Sequence, residues 1–282
     1  MPSSKSGKAS QEALSDAEIK KSTTPQRLVA DYLLTGNVKI LTEARRLFPE
    51  HPLVLLQCAL AAQDPESPDL VSLEAADPDN ALASLIRAGL YAEHGDLARF
   101  KEELQTALSK PKLSTSARQR MAEMLDLIIS NGMRGLDPEV YTHFDSAVFD
   151  RLGGAYTAFF RNPKLFGDEF ASAETGVGLA YKLRMMDKSS VSYDMAAGQL
   201  EIELLRRLNP NDEYGTEGQT ISQRLAELRQ RLQSQSHTAE KYIHPLMSPA
   251  GDPVLRLQFF ARVRSDGEKA ALNWLIKKMD GK

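Results

Sequence analysis

The chain has one cysteine in 282 residues, so it forms no internal disulfide and offers no thiolate set for zinc. That residue, Cys58, lies in the apolar run from Leu53 to Ala62 and reads as a small buried side chain. No apolar run approaches the roughly 18 residues that a membrane helix needs. The opening MPSSKSGKAS lacks a hydrophobic signal core. Taken as it stands, the sequence predicts a cytoplasmic protein, or an extracytoplasmic one if a signal or anchor has been removed ahead of it. Runs of alternating β-branched residues are also missing, which excludes a parallel sheet and with it a Rossmann or P-loop scaffold. Gly176-Val177-Gly178 has neither a preceding strand nor a following lysine-serine pair, so it reads as a helix-packing glycine pair.

Little points to metal or acid-base chemistry. The five histidines form no HExxH, and His237 and His244, seven apart, have no third ligand close by. No strand leads into a nucleophile elbow. Carboxylate pairs such as Glu201 with Glu203 fall on helices rich in Lys and Arg, where solvated pairs explain them. No catalytic residue, cofactor or metal site is predicted. Net charge is −3 and the acidic excess lies within 25–111, with 13 acidic and 8 basic residues, a count that solvated helix faces explain. Arg224, Arg229, Arg231, Arg256, Arg262 and Arg264 are the best nucleic-acid candidates, but they lack a recognition helix and read as a solvated face. No nucleic-acid partner is expected.

What the sequence does have is helical periodicity. In Ala81 to Pro111, Leu82, Leu85, Ile86, Leu90 and Tyr91 recur at three- and four-residue intervals. After His94-Gly95-Asp96, Leu97, Phe100, Leu104, Ala107 and Leu108 do the same. This predicts a helical hairpin that buries its stripes only with neighbours of its own kind. Helices are expected from Pro25 to Thr35, Val38 to Phe48, Pro52 to Ala62 and Leu70 to Ala76. The closing prolines Pro49, Pro78 and Pro111 stand 29 and 33 residues apart, close to a two-helix repeat. Further on, helices are expected at Ser116 to Ile129, from Pro138, at Ala171 to Met186, Val191 to Leu208, from Ile221 to about Ile243, at Val254 to Val263 and at Glu268 to Met279.

Tyr91, the Gly95-Asp96 turn, Ala107-Leu108 and Pro111 occupy places where tetratricopeptide repeats favour these types, and Tyr32 with Gly36-Asn37 echoes them one unit earlier. The segment from about 25 to 111 therefore resembles divergent tetratricopeptide (TPR) repeats. The resemblance implies a TPR-like α-solenoid that binds peptides or proteins on the face formed by first helices. Its Lys/Asn clamp for a peptide carboxylate is missing here, since Leu85 and Gly89 stand on that face. The predicted fold is all-α, stacked antiparallel helical hairpins, irregular in the C-terminal half. A polar tail occupies 1–24, TPR-like repeats 25–133, and a C-terminal helical region with capping helices 134–282, its last pair anchored by Trp274.

Eight aromatics between Tyr141 and Phe170 mark the densest stretch. Close helix packing assisted by Gly153-Gly154 explains it, and a groove for a partner's apolar anchors is the functional alternative. The predicted function is a non-enzymatic scaffold or adaptor binding a protein partner, with Tyr141, Phe144, Tyr156, Phe160 and Arg161 as its contact residues. The competing reading is a helical enzyme or small-ligand binder with a pocket between the halves, lined by Tyr141, His143, Tyr156 and Arg161. Self-association is a third option, through a seam of Ile221, Leu225, Leu228 and Leu232 at coiled-coil spacing.

Overall fold

The computed structural model describes residues 24–114, 153–186 apart from 160 and 163, 191–214, 218–248 and 250–281. The predicted tail and the helices expected at Ser116 to Ile129 and from Pro138 fall outside the described residues.

The fold is all-α. Helix α1 (Pro25–Thr35) starts with proline in its first turn and with the Thr24 side chain accepting from the Arg27 N–H. It ends at Gly36, whose φ of 64° lets its N–H turn back to the Tyr32 carbonyl. Helix α2 (Val38–Leu47) is capped by Asn37, and α3 (Pro52–Ala61) and α4 (Pro68–Ala76) again open on proline. The hairpin of α5 (Leu82–Glu93) and α6 (Leu97–Ser109) follows, with Asp96 capping the second member. A helical stretch at 153–159 leads to a second hairpin, α7 (Glu169–Met186) and α8 (Val191–Leu205).

Two short antiparallel strands, β1 (Glu213–Tyr214) and β2 (Gln219–Thr220), close the loop before α9 (Ile221–Thr238). Thr220 and Gln223 form a reciprocal capping box at the start of α9. The helix widens into a π turn (Ala239–Ile243) and tightens again as α10 (His244–Met247). Helices α11 (Pro253–Asp266) and α12 (Glu268–Met279) turn about Gly267.

Neighbours in sequence are neighbours in space: α1 packs on α2 and α3, α3 on α4, α4 on α5, α5 on α6, and α7 on α8. One apolar core runs without a break from Leu28 to Leu204, so the N-terminal helices and the α7–α8 hairpin are buried against common partners. All ten residues from Leu82 to Tyr91 are buried, so both sides of α5 are covered. One cover is the stretch at 153–159, where a Cβ on Gly154 would meet the Gly89 carbonyl at 2.8 Å. Glycine is therefore required for that approach. In the same way Gly176 lets α7 close on α8, since a Cβ there would lie 2.4 Å from Leu204 Cδ1.

Packing overturns one sequence expectation and refines another. Ile221, Leu225 and Leu228 are buried against Ile202 and Leu205 of α8, with Leu232 packed beside them, so the seam belongs to the interior of this chain and is not free for self-association. Trp274 is only half-buried, with the Arg262 guanidinium 4.9 Å from its ring centre. Ala271 and Leu275 are the fully buried members of that helix, in a small core with Tyr242, Leu246, Phe259 and Val263. The indole is amphipathic enough to serve as a rim, while the smaller aliphatic groups fill the centre.

Candidate functional site

Of the predicted contact residues, Tyr141, Phe144 and Phe160 lie outside the described residues, as does His143. Tyr156 points inward. It is half-buried, its hydroxyl is enclosed without a hydrogen-bond partner among the described residues, and burial raises its pKa. Phe159 beside it is packed solid, edge-on to Phe100 at 6.1 Å and stacked on Phe166 at 5.7 Å. Only Arg161 is exposed, and it lines an opening that Tyr156 does not reach. The pair predicted to share a site is thus divided between core and surface.

The surface that does open lies along α6. A depression of about 860 Å³ is bounded by Leu97, Lys101 and Gln105 on α6 and by Arg161, Lys164 and Leu165 opposite. A second, of about 910 Å³, lies between the end of α6 and α7; it is lined by Leu108, Leu113, Phe166, Gly178, Tyr181 and Met185. Gln105 borders both, so the two adjoin along α6 and together are called the groove. Each wall is held by specific bonds. Asn80 Oδ1 accepts from the Ser114 N–H at 3.0 Å while its Nδ2 donates to the Ser114 carbonyl at 2.7 Å, pinning the chain after Pro111 to the start of α5. On the opposite side the Phe166 N–H donates to Ser172 Oγ at 2.9 Å, which sets the ring at the groove floor.

Helix α7 is apolar on two faces. Ala173, Leu179 and Leu183 point into the core. Phe170, Tyr181 and Met185, three turns and then one turn apart, remain 54%, 60% and 41% exposed. Burial of such side chains is worth roughly 1.5–3 kcal/mol each when fully achieved, so this is an unfilled face. Charge is distributed along it as well. The Lys182 ammonium donates to the Lys110 carbonyl, and its partial burial lowers its pKa. The Lys101 ammonium stands 5.8 Å from the centre of the Phe166 ring.

Comparison with protein-family models, curated proteins and solved structures finds no match for this chain. The chemistry of its site therefore rests on its own residues.

Two ion-pair networks lie away from the groove. Arg87 on α5 bonds Glu103 on α6 at 3.1 Å and Glu74 on α4 at 2.9 Å, and Lys110 also reaches Glu74 at 2.6 Å. The second network centres on Glu201, which is 0% exposed. Arg224 on α9 donates to it at 2.7 Å, Tyr214 at 2.7 Å, and the Arg184 guanidinium lies 2.5 Å away. Burial alone would raise this carboxyl's pKa, but the bonds from Arg224 and Tyr214 and the Arg184 charge outweigh it and hold the group below the usual glutamate range. The sequence reading placed Glu201 and Arg224 among solvated charges. The structure corrects this, because residues two apart lie on nearly opposite sides of α8, so Glu201 turns inward to face α7 and α9 and Glu203 stays outside with Arg206.

Glu201 is buried, lines neither part of the groove and joins α8 to α7 and α9. The Cys58 thiol is buried and pushed up to about 12 by that burial, which leaves it protonated and unreactive. No group of three His, Cys, Asp or Glu suited to a metal occurs among the described residues. No described helix is long and apolar enough to cross a membrane. What the groove can do is exclude water from apolar anchors and pair with charge. Sequence reasoning named Arg161 but missed Phe170, Tyr181, Lys182 and Met185. The signal for them was an α7 whose apolar residues exceed what a single face can hold.

Proposed function

We propose that the chain is a non-enzymatic helical adaptor, built from TPR-like hairpins, that holds a protein partner in the groove between α6 and α7. The observation that supports this is the exposed Phe170–Tyr181–Met185 face of α7 beside a walled groove, while Ala173, Leu179 and Leu183 of the same helix are buried in the core. Exposed apolar groups that adjoin a groove with fixed walls provide the anchors on which protein recognition depends. Tyr156 is enclosed and Phe159 is packed solid, so neither ring lines the two depressions, which favours this reading over a small-ligand pocket built on these two rings.

Site-specific photo-crosslinking tests it. With p-benzoylphenylalanine placed at Tyr181, illumination in the native host yields a discrete protein adduct. With the same group at the exposed Val71 on α4 it yields none. An adduct pattern identical at both positions, or none at Tyr181, would overturn the proposal.

A further inference from the structure

The free charges of the groove say what kind of segment fits it. Lys101, Arg161, Lys164 and Lys182 all line it, and none has a carboxylate within ion-pair distance among the described residues. The scaffold beside it behaves differently: Arg45 pairs with Asp69, Arg87 with Glu74 and Glu103, Lys110 with Glu74, and Lys112 with Asp77. Against the four free cations the groove presents Glu102 and Glu174. This cationic surplus lies in a chain whose net charge is −3, so it is a local arrangement and not a reflection of composition.

A segment seated on the apolar floor removes water from these cations. Covering a charge without supplying a counter-charge costs several kcal/mol, whereas a carboxylate on the incoming segment restores the lost solvation. Two of the cations are already held in position, Lys182 by the Lys110 carbonyl and Lys101 over the Phe166 ring, so they keep their place when a partner arrives. We infer that the groove takes an acidic segment of a protein partner, with apolar anchors for Leu108, Tyr181 and Met185 and carboxylates for Lys101, Lys164 and Lys182. The inference rests on the adaptor reading above and narrows it. A nucleic acid fits less well, since its phosphates would face Glu102 and Glu174.

The test is selection of a phage-displayed library of random peptides on the full chain, with counter-selection on the Tyr181→Ser/Met185→Ser variant, followed by anisotropy titration of the recovered peptides. Both changes are at exposed positions, and circular dichroism of the variant verifies its fold. Recovered sequences should carry net negative charge and at least two apolar residues. Lys101→Glu/Lys164→Glu should weaken them about tenfold, and added salt should weaken them as well. Groove-dependent sequences that are neutral or basic would overturn this inference while leaving the adaptor reading intact. Recovery of no groove-dependent sequence would overturn both. A concentration-dependent dimer abolished by Tyr181→Ser/Met185→Ser would assign the groove to a second copy of the chain and overturn the acidic-partner inference.

Discussion

The two sides of α6 use the same kinds of residue for opposite ends. On the side facing α4 and α5, charges close on one another: Arg87 is buried and bonded to two carboxylates from two helices, and α5 is covered all round. On the side facing α7, cations stand unpaired and Tyr181 and Met185 stay in water. Satisfied charge and filled faces hold the scaffold, while unpaired charge beside an open apolar face is the feature on which the proposed binding surface rests. The Glu201 network belongs with the first class although it involves the same helix, α7, that supplies the open face. One helix thus serves both purposes.

The contrast is broken most strongly at Glu201. Glu201→Gln takes the buried counter-charge from Arg184 and Arg224, leaving them only Asp194 at 3.3 Å and Glu227 at 3.6 Å, and should lower unfolding free energy by about 3 kcal/mol in a denaturant titration. A loss below about 1 kcal/mol would show that the network is solvated and not interior. The pH dependence follows with a definite sign. The Glu201 and Glu74 carboxyls both titrate below the usual glutamate range in the folded chain, because arginine, lysine and tyrosine partners outweigh their burial. Their stabilisation is therefore fully present above the unfolded value of about 4.3, and is lost as pH falls through the lower folded values. Stability measured downward from pH 6 should fall in that window, less steeply for Glu201→Gln.

A smaller effect separates the two glycines of α7. Gly176→Ala drives a methyl into the buried Leu204 and should cost about 1–3 kcal/mol. Gly178→Ala meets only Leu108 at 3.8 Å, so helix propensity should dominate and stability should rise by about 0.5–1 kcal/mol. Thermal melts of the two variants read the difference, and equal losses would mean that both faces of α7 are packed. The smallest stability effect belongs to the groove itself. Tyr181→Ser/Met185→Ser should stay within about 0.5 kcal/mol of the parent chain and yet abolish anisotropy binding of the groove-selected peptides. A large destabilisation would place these side chains in the scaffold.

Much of the architecture was legible because local chemistry decides it. Prolines at positions 25, 52 and 253 open helices, and Gly36 and Gly267 end them. Position in space was not legible. Glu201 and Glu203 look alike in sequence, and only the placement of Arg184 and Arg224, 17 and 23 residues away, makes one interior. The Ile221 to Leu232 seam has the spacing of a self-association surface, but α8 presents Ile202 and Leu205 to it first. The site was half visible. Arg161 could be named from its aromatic surroundings, whereas α7 carries apolar residues on both faces and periodicity cannot say which one the rest of the chain covers.

The central claim is that the face between α6 and α7 binds while the rest of the described fold supports it. Hydrogen exchange of the full chain, with and without a saturating groove-selected peptide, measures this directly. The account predicts added protection confined to the second half of α6, residues 161–166 and α7, with α3, α5 and α9 unchanged. Protection centred on α9 to α12, or spread evenly over the chain, would contradict it.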